Sequence, residues 1–162
     1  MAASYKDTFF LPGITGTHDN DILSAAVSSE ILGLDGNDIF HTGPNELMSM
    51  YGGRGSDTYV IETSGLKPGQ DAYFTIYETF ALNQESAVDV LDLTDFTNSL
   101  NELAFTSKYI AHTESLLISN TEGNRVIDIS QQLKSNLTST AIEEIKFGDQ
   151  TWSIQGLTLK EI

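Results

Sequence analysis

No cysteine occurs in the chain. Disulfides, thiolate metal sites and cysteine nucleophiles are thereby excluded, and a domain of this size outside the cell needs another staple, of which bound metal is one. Basic residues are few: 8 Lys and Arg face 23 Asp and Glu, a formal net charge of −15. Nucleic acid and anionic membrane surfaces are poor partners for such a chain, because both would repel it. No stretch approaches the roughly 20 consecutive apolar residues of a membrane helix, so membrane insertion is not expected. Met1 to Asp7 carry no apolar segment behind a basic end, so no signal peptide is read there, and the chain is expected to be a monomeric part of a larger one. Catalytic signatures are missing too: there is no H-E-x-x-H, no G-x-S-x-G and no P-loop, so an enzyme is not expected.

What the chain does have is carboxylate, and its placement matters more than its amount. The 162 residues, 40% of them hydrophobic, suit one domain with a modest core. Three nine-residue windows fit the pattern G-G-x-G-x-D-x-U-x, with U a large apolar residue. They begin at Gly16, Gly33 and Gly52. The third fits at every fixed position; the second has Leu34 for the second glycine; the first has Thr17 there and Asp19 for the middle glycine. Glycines in such a loop allow positive φ and a tight turn, so that backbone carbonyls converge. The aspartate that follows (Asp21, Asp38, Asp57) adds a carboxylate to the same point, and the apolar residue two places on (Leu23, Phe40, Tyr59) turns inward on a short strand.

A hard cation such as Ca²⁺ takes six to eight oxygens at about 2.3–2.6 Å. One loop supplies only about three, so two stacked loops must share each ion. The windows start 17 and 19 residues apart. A roll turn of two nine-residue halves holds about 18, so the three loops are expected to stack along one edge. The half-turns between them keep Ile31, Leu32, Leu47 and Met48 but lack the glycines and aspartates. The expectation is a short roll with metal along that edge only.

In these residues the chain resembles the RTX, or haemolysin-type calcium-binding, family. Looser similarity continues through Ile76-Tyr77-Glu78, Val88 to Leu93, Ser115 to Ile118 and Ile142 to Trp152. The resemblance implies an all-β fold: a lead-in strand in 1–15, a short parallel β-roll of RTX repeats in 16–61, and a β-rich C-terminal cap in 62–162. It implies a first Ca²⁺ on Thr17, Asp19, Asp21, Gly33, Asp35 and Asp38, and a second on Leu34, Gly36, Asp38, Gly52, Arg54 and Asp57, with Asp38 bridging the two. A third, on Gly53, Gly55 and Asp57, would need Asp71 or Glu78 to close it. It further implies a bacterial protein released by type I secretion, with this module folding on external calcium. The alternative is an accessory module that binds a polysaccharide or cell-surface ligand, as in alginate-modifying enzymes or adhesins.

In the rest of the chain, 62–71 reads as a loop, and 72–78, 88–93, 103–110, 115–119 and 125–129 as strands. Residues 130–141 read as a short helix or loop, and Gly148-Asp149-Gln150 as a hairpin turn. Trp152 is expected in the core. His18 and His41 fall at variable repeat positions and are expected to face solvent, and His112 is isolated. Asp89, Asp92 and Asp95 are read as turn, cap or accessory calcium groups and not as a catalytic pair, since Asp89 and Asp92 would point to opposite faces of a strand.

Overall fold

A computed structural model describes residues 13–24, 29–78, 87–97, 99–110, 113–130, 142–155 and 158–161. The fold is all-β. The first eight strands are β1 (Ile14–Thr15), β2 (Ile22–Ser24), β3 (Ser29–Asp35), β4 (Ile39–His41), β5 (Leu47–Arg54), β6 (Thr58–Val60), β7 (Ala72–Tyr77) and β8 (Val90–Asp92). They alternate between two sheets. Odd-numbered strands pair in parallel in one, even-numbered strands in the other. Each pair of successive strands is therefore one turn of a coil.

The coil forms because every strand carries an apolar side chain in the same register. In one sheet Ile14, Ile31, Met50 and Ile76 align as Cα partners. In the other, Leu23, Phe40, Tyr59 and Leu91 align. All but Ile14 of these eight are buried, and Ile14 packs against the same core. The three expected inward residues of the repeats thus occupy one stack, with the Phe40 and Tyr59 rings parallel at 4.9 Å. Outward residues alternate with them: Tyr51 and Tyr77 stack at 4.6 Å on the other face of β5 and β7, and Leu47 points away from the core.

The parallel ladders do not stop at residue 61. After β9 (Leu103–Ile110) and β10 (Thr113–Asn120), an antiparallel pair, the chain returns as β11 (Arg125–Ser130) beside β7, in parallel. Strand β12 (Glu144–Phe147) then lies parallel to β8. β11 and β12 are a fifth turn of the same coil, and Ile129 and Ile145 extend the two core stacks. The sheets finish with antiparallel strands: β9–β10 beyond β11, and β13 (Gln150–Gln155) with β14 (Thr158–Glu161) beyond β12. Gly148 turns at φ 61° in the hairpin expected there, and Gly123 turns at φ 70° between β10 and β11.

Trp152 departs from expectation. It lies opposite the fully buried Ile145 but is only half-buried, because β13 stands near the end of its sheet where the coil no longer covers it. Residues 131–141, His112 and all of the lead-in before Gly13 lie outside the described residues.

Candidate metal centre

The loops that carry the chain from the first sheet to the second stack along one edge, as the spacing implied. Their sixth-position aspartates form a hydrogen-bonded ladder. Asp21 N–H donates to Asp38 Oδ1 at 2.9 Å, and Asp38 N–H donates to Asp57 Oδ1 at 2.8 Å. The ladder runs on: Asp57 N–H donates to Asp89 Oδ1, and Asp89 N–H to Glu143 Oε2, both at 2.8 Å. Beside it Asn37 N–H donates to Asn20 Oδ1 at 2.8 Å, and Ser56 N–H to Asn37 Oδ1 at 2.9 Å. At Asp38 and Asp57 one carboxylate oxygen serves the previous turn and the other is left over.

The leftover oxygens decide what the edge can do. Asp38 is 1% exposed and Asp57 0% exposed, and among the described residues the Oδ2 of each has no hydrogen-bond partner. A buried carboxylate oxygen without a donor is costly unless a cation meets it. Carbonyl oxygens gather at the same places. A Cβ placed on Gly33 would lie 2.3 Å from Asp38 Oδ2 and 2.6 Å from the Gly52 carbonyl, so both oxygens flank one spot between the second and third turns. The Leu34 and Gly36 carbonyls face Gly53 and Gly55 of the next turn just as closely, at 1.9 and 1.8 Å from where those Cβ atoms would be. Of the residues assigned to the second ion, Leu34, Gly36, Asp38, Gly52 and Asp57 are brought together at adjoining turns; the Arg54 carbonyl accepts from Gly36 N–H at 2.8 Å.

The backbone there takes the conformation the pattern calls for. Gly36, Gly53 and Gly55 have φ 119°, 112° and 130°, and Leu34 adopts φ 88° in a place where the third turn has glycine. This permits a paired test. Gly53→Ala meets both a positive φ and the Leu34 carbonyl, and should cost more than about 3 kcal/mol. Gly69→Ala, at φ 72° with nothing within 4 Å, should cost only about 1 kcal/mol. Denaturant melts of the two variants check this, and equal losses would contradict the close stacking of turns.

The first turn differs. Neither Thr17 nor Asp19 has positive φ. Asp21 Oδ2 is occupied locally, accepting from Thr17 N–H at 2.6 Å and from its hydroxyl at 2.9 Å. The Gly33 carbonyl and Asp21 Oδ2 still flank Gly16, at 2.7 and 2.8 Å from its Cβ position, while Asp35 turns aside to His18 at 3.1 Å. The two glycine replacements thus leave a looser, more exposed turn.

The fourth turn holds what the repeat pattern missed. Continuing the pairing of Tyr51 with Tyr77 sets Glu78 beside Gly52, at the place where the earlier turns begin. Its carboxylate accepts from the Tyr59 hydroxyl, and one ligand oxygen each from Asp57, Glu78 and Asp89 lies within 4.8 Å of the others. Asp71, the other residue expected to close a third site, is exposed at the opposite end of β7. Burial pushes Asp57 up to about 6 and Asp89 up to about 7, with neighbouring carboxylates adding to both. Burial also holds Glu78 well above the usual carboxylate range, Asp89 adding to it, and raises Asp38 and Glu143.

Comparison with protein-family models finds no match, and no curated protein is similar in sequence. Among solved structures the chain is similar to the AlgE6R3 subunit of the Azotobacter vinelandii mannuronan C5-epimerase. The two share 17% identity over 82% of this chain and 81% of that one, with a TM-score of 0.39. The site described above stands on this chain's own residues.

The other carboxylates have separate work. Asp92 pairs with Lys146 at 2.9 Å, joining β8 to β12, and its hydrogen bonds to Thr94 and Lys146 outweigh burial and hold its pKa low. Asp95 Oδ2 accepts from the N–H groups of Thr63 and Ser64 at 2.8 Å each. So Asp89 belongs to the ladder, while Asp92 and Asp95 tie loops and strands. His18 is exposed, and His41 stands 3.4 Å from Glu62 on the outer side of its strand. Among the described residues no helix is long and apolar enough to cross a membrane.

Proposed function

We propose that this chain is a non-catalytic calcium-binding β-roll module of RTX type, holding Ca²⁺ between its stacked turns and folding fully only when the ions are bound. The supporting observation is the pair of buried, unpartnered carboxylate oxygens on Asp38 and Asp57, the first beside the Gly52 carbonyl of the next turn and the second beside the Glu78 carboxylate. An all-oxygen donor set of carbonyls and carboxylates is the chemistry of a hard cation, and its size and irregularity suit Ca²⁺ better than Mg²⁺. The module works as part of a larger extracellular bacterial protein, where millimolar calcium is available and the ions replace the disulfides the chain lacks. Its acidic surface weakens the metal-free fold and favours solubility.

Calorimetric calcium titration of two variants tests this. Asp38→Ala should weaken two ions together, because Asp38 lies in the middle turn with a loop on each side. Asp21→Ala should affect only the weaker, first-turn ion. Each loss at Asp38 should exceed the roughly 0.5 kcal/mol of an ordinary surface change. An Asp38→Ala chain that binds as many ions as the parent, with similar affinity, would refute ion sharing between turns.

A further inference from the structure

The three carboxylates at the fourth turn differ in kind from the loops before them. In the second and third turns the starting residue is glycine because the turn's own aspartate lies over it: a Cβ on Gly52 would be 2.5 Å from Asp57 Oδ2. In the fourth turn that starting place is taken by Glu78, whose side chain reaches back over Gly52, with Oε1 2.8 Å from the same point. Asp57 Oδ2 and Glu78 Oε1 therefore converge on one spot. Asp89 approaches it from the far end of the turn, 6% exposed, with its Oδ1 held by Asp57 N–H. Three like charges do not gather in a dry place without compensation. Among the described residues no Lys or Arg pairs with any of them; the Tyr59 hydroxyl donates to Glu78, and Asp57 Oδ2 receives nothing.

We propose that Asp57, Glu78 and Asp89 form a separate divalent-cation site, built mainly from side chains, that closes the stack of turns and binds its ion more tightly than the inter-turn sites before it. The inter-turn site between the second and third turns draws on carbonyls with one or two carboxylates, whereas here three formal charges meet one ion. Affinity of oxygen sites for calcium rises with ligand charge. The site also reaches into the C-terminal half. The Asp89 carbonyl accepts from Glu143 N–H and Glu144 N–H, at 3.1 Å each, and Asp89 N–H donates to Glu143. An ion on Asp89 thus fixes the start of β12 as well as the end of the roll.

The inference rests on the calcium reading for the identity of the ion, and the experiment separates the two. Glu78→Gln keeps the shape and the acceptor for Tyr59 while removing one charge. Calcium calorimetry of the full chain, parent against Glu78→Gln and Asp21→Asn, should show the tightest ion weakened about tenfold or more in the first variant and unchanged in the second. Asp89→Asn should repeat the loss, so the result does not hang on one variant folding. As an independent readout, Tb³⁺ added to the chelator-treated parent should give most of its tyrosine-sensitised emission in the first equivalent, since Tyr59 touches this site and no tyrosine stands in the first two loops. A parent that binds calcium while Glu78→Gln and Asp89→Asn keep its tightest ion overturns the separate site alone. A parent that binds no calcium overturns both.

Discussion

Calcium at about 1 mM should raise the melting temperature of the chelator-treated chain by more than about 10 °C, and magnesium at the same concentration should not. The size of the effect follows from mass action. An ion at 100 times its dissociation constant stabilises the fold by about 2.7 kcal/mol, and two such ions by about twice that. For a chain of this length each kcal/mol moves the midpoint by roughly 2–4 °C. The ion-free fold begins at a disadvantage, with a net charge of −15 and with Asp38 and Asp57 buried without donors for one oxygen each. Magnesium keeps its waters and asks for six oxygens at about 2.0–2.1 Å, which carbonyls fixed by the stacking of turns do not supply. Thermal melts followed by circular dichroism in chelator, calcium and magnesium decide it. An unchanged midpoint between chelator and calcium would end the calcium reading.

The pH dependence of stability should flatten when calcium is added. Asp57 titrates at about 6 and Asp89 at about 7 in the fold, both above the ordinary carboxyl value of about 3.9. A carboxyl whose pKa is higher folded than unfolded binds more protons in the fold, so stability falls as pH rises through that window. The groups these two face are Asp38, Glu78, Glu143 and the Tyr59 hydroxyl; none is basic, so none offsets the trend. In chelator the midpoint should therefore drop from about pH 5 to about pH 7, most steeply near pH 5, where both groups are protonated in the fold and ionised in the unfolded chain. With calcium saturating, the ligands carry no protons in the fold and almost none in the unfolded chain, so the midpoint should stay nearly level over the same range. Parallel slopes with and without calcium would show that the buried carboxylates and the metal are not linked.

How far the sequence carried the structure can be judged from particular residues. Leu23, Phe40 and Tyr59 were legible as a core stack, and Asp38 and Asp57 as rungs of one edge, because a nine-residue period fixes both at once. Thr17 and Asp19 were legible as departures, and the structure shows their effect in the absence of positive φ there. The fourth and fifth turns were not legible as turns. Between Tyr59 and Leu91 the step is 32 residues, and between Leu91 and Ile145 it is 54, so insertions hide the period. Glu78 and Asp89 stand 11 residues apart where the intact loops place the same two positions five apart. Only the pairing of β5 with β7 reveals that they open and close one turn. Glu143 carries no local signal at all: it becomes a rung because β12 adds to β8. Trp152 was misplaced because size and hydrophobicity report what a side chain prefers, not whether a neighbouring layer exists to cover it.

The ladder has a direction. Each rung's N–H is satisfied by an oxygen from a residue later in the chain: Asp21 by Asp38, Asp38 by Asp57, Asp57 by Asp89, Asp89 by Glu143. Beside it a second ladder runs the other way, with Asn37 N–H on Asn20, Ser56 N–H on Asn37 and Val88 N–H on Ser56, so each turn needs both neighbours, and an unmet buried N–H costs about 1–3 kcal/mol. A turn that loses either neighbour therefore loses a rung of one ladder or the other. A chain cut before Glu143 would leave the Asp89 N–H without its acceptor, and one shortened past Asn20 would leave the Asn37 N–H without its own.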